Sequence, residues 1–310
     1  MRKAIHKWDI LIPIASTSPR SLHSVIFIAV VGGVLVARFA GVSLNLLDWP
    51  SLAGLAILVL GVPHGGFDVA LAERRWQLNS PKRLGIFLAA YVAIAALIVT
   101  VWLALPGLAL PLFLAMAAYH FGGDWDKELD RLPRLVIGAA LICAPAILYR
   151  GEVVEIFSWI TPPPTADRTA HLMALSGVPL LQAALMITLI TALVRPWVAI
   201  EIGAVLLLGL LTPALCFFVV YFCGFHSVRH VFAVADELKP SSVFEFALRS
   251  MPYAPLAVVG TLVLAGTLSF LEISVELLGI VFVVLAALTA PHMILVDFKK
   301  ASLDKKVPAH

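Results

Sequence analysis

The 310-residue chain is 61% hydrophobic and only 13% charged, with 22 Lys+Arg against 19 Asp+Glu for a net charge of +3, and its mean hydropathy is +0.99. Soluble domains carry about twice that share of charge, so an ordinary water-exposed globular fold is excluded. The weak, scattered positive charge excludes a nucleic-acid surface, and Cys143, Cys216 and Cys223 lie in apolar runs without paired spacing, which argues against a disulfide framework or a thiolate metal site.

Apolar runs of about the length that crosses ~30 Å of hydrocarbon recur at residues 24–42, 51–71, 84–105, 108–123, 133–149, 171–194, 197–212, 213–238, 253–271 and 274–298. They predict an all-α, polytopic integral membrane protein with about ten transmembrane helices, or eight if one hairpin is lost. The whole chain reads as one transmembrane domain: an N-terminal tail plus an extra helix (1–50), a histidine-bearing bundle (51–298) and a cytoplasmic tail (299–310). Residues 20–40 imitate a signal peptide but lack a small-x-small cleavage site and run at once into further spans, so they are expected to stay as a helix. One unbroken helix from 197 to 238 would be about 60 Å long, so the chain must turn, and Thr212-Pro213 is the expected place.

Between the spans, Thr161-Pro162-Pro163-Pro164 reads as a stiff extended linker, and residues 153–160 as an interfacial segment. Residues 241–250 read as a short interfacial amphipathic helix, and the mixed-charge run 124–134 as a solvated loop. With the N-terminus inside, all of the 22 Lys+Arg fall on inner segments except Arg38, Arg150, Arg168 and the intra-span Arg229. That asymmetry places both termini in the cytoplasm.

His6, His23, His171 and His310 sit near span or chain ends and receive no role. His64, His120, His226, His230 and His292 fall inside the second, fourth, eighth and tenth spans, all in the cytoplasmic half. Ionisable groups at membrane depth face the bundle interior and mark function. His226 and His230, at i and i+4, project from one helix face, a spacing that suits a metal, and histidines from neighbouring helices complete a first coordination shell. Asp68 and Asp124 follow His64 and His120 by four residues, and Asp297 follows His292 by five. Each is a candidate to orient an imidazole. An imidazole set without thiolate suits iron, zinc, copper or nickel and does not choose among them.

The segments Gly61-Val62-Pro63-His64-Gly65-Gly66-Phe67-Asp68, Tyr119-His120-Phe121-Gly122, Phe222-Cys223-Gly224-Phe225-His226-Ser227-Val228-Arg229-His230 and Pro291-His292 together resemble the signatures of the bacterial and archaeal Brp/Blh family of membrane β-carotene 15,15'-dioxygenases. The resemblance implies an Fe(II) enzyme of the cytoplasmic (inner) membrane that cleaves the central double bond of β-carotene with O2 into two retinal molecules, which microbial rhodopsins accept. By position it implies His64, His120, His226 and His230 as iron ligands. His292, Asp68 and Asp124 are then orienting residues or alternative ligands. Tyr119, Phe121, Trp125, Tyr221, Phe222 and Phe225, close in sequence to these histidines, are candidates to line the substrate tunnel. The first helix is expected to take no part in the site. Two other functions fit the same histidines: a b-type cytochrome with bis-histidine haem, and a noncatalytic carotenoid or opsin assembly factor.

Overall fold

The computed structural model describes residues 19–250, 254–270 and 276–304, and every regular element among them is helical. In chain order these are α1 (Pro19–Phe39), α2 (Pro50–Ala56), α3 (Asp68–Trp76), α4 (Pro81–Ala104), α5 (Pro106–Gly122), α6 (Arg131–Leu148), α7 (Arg150–Ser158), α8 (Pro163–Ala192), α9 (Pro196–Leu211), α10 (Ala214–Tyr221), α11 (Ser227–Leu238), α12 (Val243–Ser250), α13 (Ala254–Phe270) and α14 (Leu277–Asp304). Seven described helices are long and apolar enough to cross a membrane: Arg20–Phe39, Pro50–Trp76, Pro81–Ala104, Arg131–Leu148, Pro163–Ala192, Ala214–Leu238 and Leu277–Val296. Helices α5, α9 and α13 fall on the remaining three apolar runs and are shorter. His6, His310 and both chain ends lie outside the described residues, as do the side chains of Val62, Pro63, His64 and Asp297.

Proline sets many of the helix starts. Pro50, Pro81, Pro106, Pro163 and Pro196 open α2, α4, α5, α8 and α9, where the missing N–H would have had no helical partner. The division expected at Thr212-Pro213 is present: both residues leave the helical region, with ψ of 155° and 143°, between α9 and α10. The expected linker at Thr161–Pro164 is not extended throughout. Pro162 is, but Pro163 and Pro164 form the first turn of α8. The preceding residues fold as α7, whose Val153, Ile156 and Phe157 are buried. α12 forms as expected, opened by a Ser242 hydroxyl that accepts the Glu245 amide and by Glu245 reaching back to the Ser241 amide. The Ser241 hydroxyl, ahead of its amide and Arg249, holds the Glu245 carboxyl below its ordinary value.

In lipid the apolar effect between helices is weak, and close approach of backbones at small residues does the work. Gly138 on α6 lies against the Ala118 carbonyl of α5, Gly122 on α5 against the Arg134 carbonyl, and Gly177 on α8 against Ile147 and the Cys143 carbonyl of α6. Around these crossings Leu110, Ile137, Leu141, Ile202, Leu206 and Leu215 are fully buried.

Two spans are not continuous α-helix. Between α2 and α3 the chain makes a π turn (Ile57–Gly61) and then a 3-10 turn (Val62–Phe67). Between α10 and α11 it makes a second π turn, Phe222–His226. The two irregular stretches meet. The Phe222 ring fills the space a side chain at 61 would need, the Ser227 hydroxyl donates to the Gly61 carbonyl at 3.1 Å, and the Cys223 thiol points to the Ala56 carbonyl at 3.6 Å. Below them, Arg75 on α3 forks onto Glu237 of α11 at 2.9 and 2.7 Å and donates to the Leu295 carbonyl of α14 at 2.8 Å.

The first helix departs from expectation. The His23 ring on α1 donates to the Gly224 carbonyl in the second π turn at 2.7 Å, and Phe27 lies 4.7 Å from the Phe225 ring. α1 therefore covers the turn that carries His226.

Replacing Gly138 with Val should lower stability by about 1–3 kcal/mol, because backbone rather than a movable side chain occupies the site. The same change at Gly85, which faces open space, should have little effect. Thermal midpoints of the detergent-solubilised protein measure both.

Candidate metal centre

Each histidine reaches the centre from a different local structure. His120 ends α5. His226 closes the second π turn, so His230 follows it on regular helix. His292 follows Pro291 inside α14. The imidazoles of His120 and His226 have centres 4.7 Å apart, those of His120 and His292 5.3 Å, and those of His230 and His292 4.7 Å. A metal bound about 2.1 Å from a ring nitrogen lies roughly 3.2 Å from that ring's centre, so two imidazoles sharing one ion at ~90–110° have centres roughly 4.5–5.2 Å apart. The His120–His226 and His230–His292 spacings fall in that range and His120–His292 just beyond it, while the histidine ligand atoms within 4.8 Å of one another are those of His230 and His292, with Asp68. The set is largely buried, with His226 at 2% and His292 at 3% exposure.

Two carboxylates hold this layer. Asp124 accepts from His226 Nδ1 at 3.0 Å and from the Tyr221 hydroxyl at 2.6 Å. Asp68 accepts from His292 Nδ1 at 2.8 Å and from the Tyr91 hydroxyl at 2.8 Å. A carboxylate on Nδ1 fixes the tautomer, leaves Nε2 as the coordinating atom and makes the ring a better donor. Ligand atoms of Asp68, His230 and His292 lie within 4.8 Å of one another, and both Asp68 oxygens face His292 Nδ1, so the carboxylate orients that ring.

These pairings differ from the sequence expectation, which gave Asp68 to His64 and Asp124 to His120. The i, i+4 rule assumes an α-helix, and both aspartates stand where the chain departs from one: Asp68 directly follows the 3-10 turn, and Asp124 lies in another, Gly123–Trp125. Each carboxylate therefore turns to a neighbouring helix. The expected solvated loop likewise begins in the core, with Trp125 at 0% exposure. His64 sits in the 3-10 turn Val62–Phe67, and its side chain, like that of Asp297, is outside the described residues.

Beside His120 opens an apolar cavity of about 120 Å3, walled by α5, α6, α7, α8, α10 and α14. Of the aromatics expected to line a tunnel, Phe121 and Phe222 stand in the wall of this cavity. Tyr119 is 45% exposed on the outer surface, while Trp125 and Phe225 are sealed in the core, and Tyr221 is the hydrogen-bond donor to Asp124. None of these four is in the cavity wall.

Three polar residues escaped the sequence reading: Tyr91 on α4, Ser24 on α1 and Glu201 on α9. Glu201 forms an ion pair at 2.5 Å with Arg229, and that guanidinium also donates to the Asp124 carbonyl at 3.1 Å. A carboxylate in the seventh apolar run was the available signal, since such a charge needs a partner.

Replacing Asp124 with Asn should weaken metal binding by about 10- to 100-fold, read by titrating the protein with Fe(II) or Co(II). Tyr221→Phe, which leaves the carboxylate on His226, should cost less.

A protein-family profile described as β-carotene 15,15'-dioxygenase matches residues 55–299. The chain is 31% identical over 269 residues to the β-carotene 15,15'-dioxygenase of uncultured marine bacterium 66A03, an alignment covering 82% of this chain and 94% of the relative. No solved structure matches. The matched segment contains every histidine and carboxylate of the cluster and starts beyond α1. On these grounds the chain belongs to the β-carotene 15,15'-dioxygenase family.

Proposed function

We propose that this protein cleaves the central 15,15' double bond of β-carotene with dioxygen to give two molecules of retinal, using iron(II) held by the histidine cluster. The observation that carries the reading is the chain of ring contacts His226–His120–His292–His230, at 4.7, 5.3 and 4.7 Å, beside an apolar cavity. The donor set fits the metal: imidazoles with buried carboxylates behind them and no thiolate suit iron. His120, His226 and His230 would hold it, with His64 completing the set by resemblance and His292 as a further imidazole. Bound iron(II) supplies the redox reactivity toward dioxygen that a zinc site lacks.

The chain's own residues then bind, orient and exclude water. A C40 hydrocarbon is dissolved in the bilayer, so a site at membrane depth takes it without passage through water. The cavity wall is almost wholly apolar, with His120 and Thr289 its only polar side chains among the described residues, and the Thr289 hydroxyl is already donated to the Leu285 carbonyl. We place one arm of the polyene against this wall, with the central bond beside His120 and the cluster, an orientation effect; the cavity, at about 120 Å3, has to widen to take it. Asp124 and Asp68 keep the imidazoles of His226 and His292 in one tautomer throughout. We place the protein in the cytoplasmic membrane with both termini inside, on the distribution of its basic residues.

Purified protein supplied with Fe(II), O2 and β-carotene should yield retinal in a 2:1 ratio to substrate consumed. Protein that binds no iron and makes no retinal overturns the reading, and a Soret band in its place points to haem. Ala117 lies on the cavity wall one turn before His120. Ala117→Phe should lower kcat/KM on the order of 10²-fold by displacing the polyene while leaving metal affinity unchanged.

A further inference from the structure

Arg229 stands on α11 between His226 and His230 yet turns away from the cavity. Its guanidinium pairs with Glu201 of α9 at 2.5 Å, with both side chains more than nine-tenths buried. It lies 4.1 Å over the Phe225 ring, reaches the Ser24 hydroxyl of α1 at 3.4 Å and donates to the Asp124 carbonyl at 3.1 Å. Charge is costly at membrane depth, and a buried ion pair is often replaceable by apolar residues without loss of stability. Stability alone therefore does not account for the pair.

Its contact with Asp124 does. The neighbouring carbonyls of that turn are taken by backbone amides, Gly123 by Asp126 and Trp125 by Leu129. The Asp124 carbonyl instead takes the guanidinium, and the carboxylate of the same residue holds His226 and Tyr221. Arg229 thus clamps the backbone from which the carboxylate projects, and Glu201 fixes the orientation of the clamp. We propose that the Glu201–Arg229 pair is a positioning device for the metal centre, acting through Asp124 on His226, and that it draws α9 and α1 into the machinery of the site. The proposal rests on the metal-dependent reading above.

The test replaces the pair in the full-length protein by the double variant R229M/E201M, which removes both charges and keeps apolar bulk, and compares thermal midpoint, Co(II) and Fe(II) affinity, kcat and KM with wild type. The expected result is a folded protein with a midpoint near wild type, metal affinity and kcat each lower by about 10-fold or more, and KM little changed. R229K is the second variant, because it keeps a charge for Glu201 but has no fork to reach Asp124 as well. It should show the same loss of affinity and kcat. If either folded variant matches wild type in metal affinity and kcat, the pair is only a structural tie and the proposal is overturned. A wild type that binds no metal overturns the underlying functional reading, and this proposal with it.

Discussion

Hydrocarbon offers no water to an imidazole or a carboxylate, so each such group inside the bundle must find its partner within the protein, at a cost of several kcal/mol if it fails. The pairs Asp68–His292 and Asp124–His226 meet that demand, and much else in the fold follows from them. Each joins residues far apart in the chain, so α3 is tied to α14, and the end of α5 to the turn before α11. Tyr91 and Tyr221 then answer the oxygens left over. The arrangement leaves two imidazoles with fixed tautomers facing a third and a fourth, a geometry that a loose set of helices could not hold.

Departures from α-helix are concentrated at this level. Regular helix presents side chains at fixed angular steps, whereas the π and 3-10 turns in the second and eighth apolar runs alter the step just before the polar residues. Such turns recur at functional sites in helical proteins. Here they stabilise each other: the Phe222 ring occupies the space beside Gly61, and Ser227 donates to its carbonyl. Glycine at 61 is required by this close approach, which explains its place at the head of the Pro-His segment. The cavity side of the site is built differently, from ordinary apolar packing of α5, α7 and α14.

Much of this was legible in the sequence. Apolar run length placed the helices, proline marked their starts and the Thr212-Pro213 break, and the shared depth of His120, His226, His230 and His292 pointed to one layer. The identity of the pairs was not legible, because the i+4 rule that assigned Asp68 and Asp124 presumes a helical step that the chain does not take there. The tunnel aromatics were chosen by nearness in sequence, which says nothing about facing. Tyr119 and Phe121 are two residues apart and point to opposite surroundings. Glu201 was visible as a charge in an apolar run, but its partner on α11 could be found only in three dimensions. His292, reckoned an orienting or alternative residue from sequence, lies between His120 and His230.

Helix α1 precedes the stretch that the family profile matches, yet its His23 reaches Gly224 and its Phe27 lies against Phe225. The stretch the profile matches and the set of helices that pack around the cluster therefore have different borders. Removing Phe27 would take away the ring that lies against Phe225, so the packing of the second π turn reaches beyond the profile's border.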